Sequence, residues 1–132
     1  MGIEELCKAS DIISIHLPLN EGTKKLINRD RIALMKKNAI VINSARGAVV
    51  DERALCDALL EGKIGGIGTD VYSTEPMQPD SPYNDILDCE NAILTPHMAW
   101  GAYEARVRCI DEIEKNISAF LNGEMRNRVE KC

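Results

Sequence analysis

An α/β fold, in which a parallel sheet is covered by helices on both faces, is predicted by three features of this sequence. Short β-branched, apolar runs alternate with segments of helical periodicity, which is typical of repeated strand–helix units with right-handed crossovers. The run IVI at positions 40–42 is apolar at consecutive positions, as expected of a strand buried on both faces. An amphipathic segment at about residues 102–122 predicts a long C-terminal helix.

The predicted strands are four short runs. They cover residues 12–17, residues 40–42, a segment around Ile67 and residues 92–94. Pro18 closes the first run, because proline has no N–H to donate to a neighbouring strand.

Helices are predicted between and after the strands. The first covers about residues 29–37, with Asn38 as a left-handed cap. The second begins after Asp51, whose carboxylate suits an N-cap, and ends at Gly62. The C-terminal helix ends at Gly123. Its apolar stripe consists of Val107, Ile110, Ile113, Ile117, Phe120 and Leu121.

Composition excludes several classes of protein. The 132 residues are 45% hydrophobic and 28% charged, as in a globular domain with a modest core. The net charge of −5 argues against nucleic-acid and anionic-membrane partners. No apolar run is long enough to span a bilayer. The five cysteines are widely spaced and form no CxxC pair, so we expect no metal site and no disulfides. Four are predicted to be reduced packing residues of a cytoplasmic protein, with Cys132 as an exposed thiol.

Three residues that follow predicted strands carry the functional prediction. Arg46 follows the second strand, Glu75 lies beyond the third, and His97 follows the fourth. Parallel strands end at one sheet edge, where ligands bind in open α/β sheets. Arginine holds a carboxylate bidentately, and a carboxylate beside an imidazole favours the charged ring and fixes its tautomer. The three residues therefore suit the reduction of a 2-keto acid.

Each of these residues also has a simpler interpretation. Taken alone, an arginine in a loop is usually solvated, Glu75 is a surface acid, and a histidine after a buried strand is usually structural. The catalytic interpretation is favoured because all three residues are predicted to lie at the same edge of the sheet. Asp70, which ends the third strand, suits either a cofactor amide or a cap for the loop that follows. His16 is interpreted as a hydrogen-bonded strand residue and not as a catalyst.

The order of several motifs resembles the D-isomer-specific 2-hydroxyacid dehydrogenase family. These motifs are SDIISIHLPL at 10–19, NSARG at 43–47 followed by VDE at 50–52, DV at 70–71 with EP at 75–76, and TPH at 95–97. The resemblance runs from about Ser10 to Val129. It implies a Rossmann-like sheet and NAD(P)-dependent hydride transfer at C2 of a small 2-keto or 2-hydroxy acid.

The resemblance also implies roles for individual residues. The catalytic set becomes Arg46, Glu75 and His97. The residues expected at the cofactor are Pro18, Ser44, Ala45 and Asp70. Trp100 is expected on the substrate side, because HMAW at 97–100 with EAR at 104–106 is most similar to the glycerate (hydroxypyruvate) dehydrogenase branch. WGAY at 100–103 departs from the Gly-x-x-Thr pattern of other members, which leaves the substrate side chain open.

Compared with the family, residues 1–132 are expected to be the second half only of the dinucleotide-binding domain. The Gly-rich phosphate loop, the ribose-binding acid and the substrate domain are not in the sequence, so NAD and NADP cannot be told apart. Two alternatives remain: a module that senses NAD(H) and interacts with partners, and an inactive fragment that only oligomerises. The strand at 12–17 is expected to lack a neighbour, which predicts a homo-oligomer, specifically a dimer paired through this edge, or aggregation.

Overall fold

Residues 1–129 are described by a computed structural model, and they divide between two units, Met1–His97 and Met98–Cys132. The first unit contains all the strands, and the second contains the long C-terminal helix. The predicted role of Cys132 lies outside the described residues. No helix among residues 1–129 is both long and apolar enough to cross a membrane.

The strands of the first unit form one parallel sheet. They are β1 (Ile12–Ile15), β2 (Ile40–Asn43), β3 (Gly66–Thr69) and β4 (Ala92–Leu94). Their spatial order is β1-β2-β3-β4, so each strand pairs with the next strand in the sequence. All three pairings are parallel, and the four carboxyl ends therefore lie at one edge. The predicted parallel sheet is confirmed.

The helices are α1 (Ile3–Ala9), α2 (Arg29–Ile32), α3 (Glu52–Leu60) and α4 (Tyr103–Leu121). Short 3-10 turns occur at Gly47–Val49 and Pro82–Ile86. The predicted N-cap is confirmed, because the Asp51 carboxylate accepts a hydrogen bond from the Ala54 N–H at 3.1 Å. Gly62 and Gly123 follow α3 and α4 with positive φ angles of 64° and 74°.

Within residues 1–97 the helices pack against one face of the sheet. The side chains of Ile13 and Val41 are buried among α1, α2 and α3. Ile12, Ile40 and Ile93 alternate with them and are exposed. The sequential strand order explains this, because right-handed crossovers that all step in one direction place every connection on the same face.

Three predicted element boundaries are wrong. The helix predicted at 29–37 stops at Ile32, where hydrogen bonds such as Leu34 N–H to the Arg31 carbonyl oxygen tighten the chain. Asn38 does not adopt the left-handed conformation. The first strand ends at Ile15 and not at position 17. Helix α1 was not predicted, because its seven residues bury only Cys7 and show little periodicity.

The cysteines divide between core and surface. Cys7 and Cys56 are buried, and Cys89 is half-buried. Burial raises the pKa of the Cys56 thiol to about 12, so it remains a protonated packing residue. Cys109 is exposed on α4, which contradicts its predicted packing role.

Candidate functional site

The segments that follow β1 and β2 line one open cleft at the carboxyl edge of the sheet. Its volume is about 510 Å³. The side from β1 includes His16 and Pro18, and the side from β2 includes Ser44, Ala45 and Arg46. The structure therefore brings together three of the four residues predicted to contact a cofactor, next to the predicted substrate arginine.

Asn43 shapes the segment that carries Arg46. This side chain is buried at the end of β2, with 1% of its surface exposed. Its Nδ2 donates to the Arg46 carbonyl oxygen at 3.1 Å, and its Oδ1 accepts from the Ala45 N–H at 3.1 Å. The Arg46 side chain is exposed, and its Nη1 donates to the Ala45 carbonyl oxygen at 2.6 Å. A buried amide thus fixes the backbone while the guanidinium remains accessible.

Gly47 allows the Arg46 segment to touch the segment that leads to Glu75. A Cβ added at Gly47 would lie 2.0 Å from the carbonyl carbon of Tyr72 and 2.2 Å from the Ser73 nitrogen. Side chains never occupy such distances, so the two backbones can meet only at a glycine. The close approach explains why glycine follows Arg46.

Residues after β1 support the other side of the Arg46 segment. The Lys25 N–H donates to the Ala48 carbonyl oxygen at 2.8 Å, and the Ile27 N–H donates to that of Val49 at 3.1 Å. The Asp51 N–H donates in turn to the Ile27 carbonyl oxygen at 2.9 Å. These bonds anchor the chain between Arg46 and α3.

Glu75 and His97 form a direct pair, as their positions after β3 and β4 predicted. The Glu75 Oε2 lies 2.6 Å from the His97 Nδ1, and Glu75 Oε1 accepts from the Tyr72 N–H at 3.0 Å. The hydrogen bond with His97, the Tyr72 N–H and the charge of Arg46 lower the pKa of the Glu75 carboxyl, against a smaller effect of desolvation. His97 itself has a φ of 52°, which turns the chain sharply after β4.

Asp70 is buried between β3 and β4, with 7% of its surface exposed. Its Oδ1 accepts from the Thr95 hydroxyl at 2.5 Å, and its N–H donates to the Asn43 carbonyl oxygen at 2.9 Å. A carboxylate held in this way suits an amide donor, which is the partner predicted for it.

The remaining candidates occupy different positions. His16 directly follows β1, and its Nε2 lies 2.7 Å from the Ser14 hydroxyl oxygen, so the interpretation as a hydrogen-bonded residue is supported. Trp100 belongs to the second unit, where 62% of its surface is exposed, and its substrate role stays a prediction. Among residues 1–129, no three His, Cys, Asp or Glu side chains cluster as they would around a metal ion.

Sequence reasoning missed Asn43, Tyr72 and Glu52 as parts of this site. Asn43 could have been noticed, because it is a polar residue at the end of an otherwise apolar strand. Tyr72 contributes through its backbone N–H, for which residue type carries no signal. Glu52 binds the Ser73 N–H at 2.7 Å, a contact between segments that spacing along the chain does not reveal.

The four-stranded parallel sheet, with α-helices in its first two crossovers and a 3-10 turn in the third, defines a Rossmann-like domain. Residues 1–99 match the family described as "D-isomer specific 2-hydroxyacid dehydrogenase, NAD binding domain". The chain belongs to this family, and the predicted resemblance is confirmed. NAD is accordingly the cofactor that this domain binds in the family.

Two relatives and one solved structure are similar to this chain over more than nine tenths of its length. The chain is 42% identical over 123 residues to a glyoxylate reductase of Korarchaeum cryptofilum, covering 93% of this chain and 36% of that protein. It is 40% identical over 129 residues to a hydroxypyruvate reductase of Blautia hydrogenotrophica, covering 98% and 39%. The crystal structure of D-lactate dehydrogenase from Aquifex aeolicus, complexed with NAD and lactic acid, superposes with a TM-score of 0.80 at 38% identity, covering 94% and 41%. The chain thus spans between 36% and 41% of the length of these proteins.

Proposed function

We propose that this chain is the catalytic-edge portion of an enzyme that reduces a small 2-keto acid, such as hydroxypyruvate, to the D-2-hydroxy acid with NAD(P)H. The observation that carries the proposal is the hydrogen-bonded Glu75–His97 pair, on a segment whose backbone packs directly against Gly47, the residue after Arg46. Reduction of a 2-keto acid needs a proton donor for the developing alkoxide and a cation for the substrate carboxylate, and this arrangement can supply both.

The residues at the carboxyl edge fit a nicotinamide cofactor. The cleft lined by Pro18, Ser44 and Ala45 is open, and the buried Asp70 carboxylate offers an acceptor for a carboxamide N–H. When bound, the reduced nicotinamide supplies a hydride to C2 of the substrate. The proposed cofactor is NAD or NADP, and nothing in residues 1–129 favours one over the other.

The proposed roles of the protein groups follow from their chemistry. Arg46 binds the substrate carboxylate and polarises the C2 carbonyl. His97, as the imidazolium, donates a proton to the developing alkoxide, and in the reverse direction the neutral ring takes it back. Glu75 binds Nδ1, and we assign the proton transfer to Nε2.

A kinetic comparison of two variants in the full-length protein that carries this sequence tests the proposal. Reduction of hydroxypyruvate is followed by loss of NADH absorbance, with glyoxylate as the second substrate. Arg46→Ala is expected mainly to raise KM, because it removes the carboxylate clamp. His97→Ala is expected to lower kcat by about 100-fold or more, the usual contribution of general acid catalysis. Full kcat in the His97 variant would rule out the mechanism.

The isolated 132-residue chain is proposed to have little or no dehydrogenase activity. Its sequence contains no Gly-rich turn to form a pyrophosphate site at a helix N-terminus. Robust hydroxypyruvate reduction by the pure chain would contradict this. NADH binding without turnover by the full-length protein would instead support an NAD(H)-sensing module, and the absence of both would support a fragment that only oligomerises.

The compartment and assembly of the protein are also proposals. Cys7 and Cys56 are free and buried, as expected of a protein kept reduced, and we propose a cytoplasmic location. We also propose that the protein is a homo-oligomer, since β1 leaves one edge of the sheet without a neighbouring strand in the described chain.

A further inference from the structure

We infer that Glu52 is a positioning residue for the Glu75–His97 pair, an inference that rests on the proposed function of that pair. Glu52 is the first residue of α3, and its side chain is half-buried. Its Oε1 accepts a hydrogen bond from the Ser73 N–H at 2.7 Å. Ser73 lies between β3 and Glu75, so this contact ties α3 to the segment that carries the proposed catalytic carboxylate.

The Tyr72–Ser73 peptide group is held from two sides. Glu52 binds its N–H, while Gly47 packs directly against it, 2.2 Å separating the Ser73 nitrogen from the place where a Cβ of residue 47 would lie. The peptide therefore sits between the helix and the segment of Arg46. A shift of this peptide would alter the spacing between Arg46 and Glu75.

The next contact leads from this peptide to the imidazole. The N–H of Tyr72, one residue before Ser73, donates to Glu75 Oε1 at 3.0 Å, and the other oxygen of Glu75 lies 2.6 Å from His97 Nδ1. Both oxygens of the Glu75 carboxylate are thus engaged. The backbone bond fixes its orientation, and Glu52 fixes that backbone.

Capping of α3 does not account for the contact of Glu52. The cap of this helix is Asp51, which binds the Ala54 N–H, whereas the Glu52 carboxylate turns away from its own helix to reach Ser73. The helix is a stable anchor, since Ala54 and Leu55 are buried in the core. Because α3 is fixed in the core, the Glu52 carboxylate holds the Ser73 N–H at a fixed place beside the site.

Two substitutions test separately the length of the Glu52 side chain and its charge. Glu52→Asp keeps the charge but shortens the side chain by one methylene, so that the carboxylate no longer reaches Ser73. Glu52→Gln keeps the length and a carbonyl acceptor but removes the charge. Both residues are acceptable in the first turn of a helix, so both variants are expected to fold.

The measurement is a pH titration of the histidine rings by ¹H–¹⁵N NMR in the 132-residue chain. It needs neither substrate nor cofactor, so its result is independent of the enzymatic test of function. His16 is the only other histidine and serves as the internal reference. The charged and titratable groups that act on Glu75, or on Tyr72 beside it, are Arg46, Tyr72, Asp70 and Glu52, and of these the Glu52 variants alter only Glu52.

In the unsubstituted chain, neutral His97 is expected to carry its proton on Nδ1, which faces Glu75. Positioning predicts that Glu52→Gln keeps this tautomer and displaces the titration midpoint less than Glu52→Asp does. It also predicts that Glu52→Asp yields mixed tautomers and a midpoint displaced toward that of Glu75→Gln. Asp57→Asn, on the same helix, removes a carboxylate that pairs with Arg29 and is expected to leave His97 unchanged.

Two results would overturn the inference. One is a Glu52→Asp chain that is folded by circular dichroism with the tautomer and midpoint of the unsubstituted chain, which would leave Glu52 a purely stabilising role. The other is an equal displacement in Glu52→Gln and Glu52→Asp, which would show that reach to Ser73 is not what matters.

Discussion

Glu75 is held by one hydrogen bond at each carboxylate oxygen, and both bonds favour its ionised form. The largest influence is the bond with His97, followed by the Tyr72 N–H, and together they lower the pKa of the carboxyl. Because this pKa lies below the ordinary glutamate value of about 4.3, the Glu75 carboxylate is charged at neutral pH. A permanent negative charge beside the imidazole stabilises the imidazolium, which is the form proposed to donate the proton.

Glu75→Gln is expected to move the alkaline limb of the pH–rate profile for keto-acid reduction to lower pH. Reduction needs the imidazolium, so the rate falls as pH rises through the titration of the ring. Without the carboxylate the imidazolium is less favoured, and the fall begins earlier. The measurement is kcat/KM against pH in the full-length protein. An unchanged profile would contradict the pairing of Glu75 with His97.

Gly47→Ala is expected to destabilise the chain by about 1–3 kcal/mol or more, the usual cost of overpacking. The added Cβ would meet the Tyr72 backbone at 2.0 Å, and neither segment can yield freely. Gly68→Ala is the matched control within the same unit, since its Cβ would lie at an ordinary 3.8 Å from Ile42. Urea denaturation followed by circular dichroism measures both, and equal midpoints would refute the close-approach argument.

At the residue scale, sequence could predict which side chains reach the edge but not what supports them. His97 and Glu75 follow strands, and strand ends of a parallel sheet converge, so their contact was predictable. The support from Asn43 and Glu52 depends on how two loops approach each other in space. That approach follows from backbone geometry, which residue spacing does not encode.

At the element scale, helices with strong end signals were predicted well and short ones were not. Helix α3 has a capping aspartate and a terminal glycine, and α4 has a long apolar stripe; both match their predicted positions within one residue. Helices α1 and α2 are only seven and four residues long. Isolated helices of that length gain little from their own hydrogen bonds, so tertiary packing sets their limits.

Asp51→Ala is expected to destabilise the first unit by about 1 kcal/mol at pH 7, because α3 loses its cap. The Ala54 N–H bond is the main influence that lowers the pKa of Asp51, and Lys25 adds to it. A lowered pKa means that the stabilisation is fully present above about 3.9, the ordinary value, and is lost as pH falls through the folded value. Urea midpoints should therefore differ at pH 7 and converge at pH 2. A constant difference would contradict the role of the charge.

At the scale of the whole molecule, the sheet has one buried and one uncovered face in the first unit. The predicted apolar strand 12–17 splits accordingly: Ile13 and Ile15 are core residues, with 5% and 4% exposed, whereas 60% of Ile12 is exposed. The apolar run at 40–42 predicts a β2 buried on both faces, whereas in this unit Val41 is buried and Ile40 and Ile42 are 40% and 38% exposed. Sequence could not show which face is covered within these residues, because that depends on strand order.

Ile12→Lys is expected to weaken self-association of the chain at least tenfold, or by about 1.4 kcal/mol. The residue is exposed on β1, which is an edge strand of the sheet, and a lysine there opposes pairing with a second copy. Sedimentation velocity at micromolar concentration measures the effect. Leu60→Lys, at an exposed apolar position on α3, is the control. A sharply monomeric unsubstituted chain would disprove association through this edge.

The sequential strand order also has a consequence for how the site comes into being. Each strand pairs with the one that follows it in the chain, so the sheet can grow by one strand–helix unit at a time as the polypeptide leaves the ribosome. Arg46 follows the second strand, whereas His97 follows the fourth. Arg46 can therefore take its place early, whereas the Glu75–His97 pair forms only when the last strand has docked. A nascent chain that stalls before β4 would have Arg46, the proposed substrate cation, without His97, the proposed proton donor.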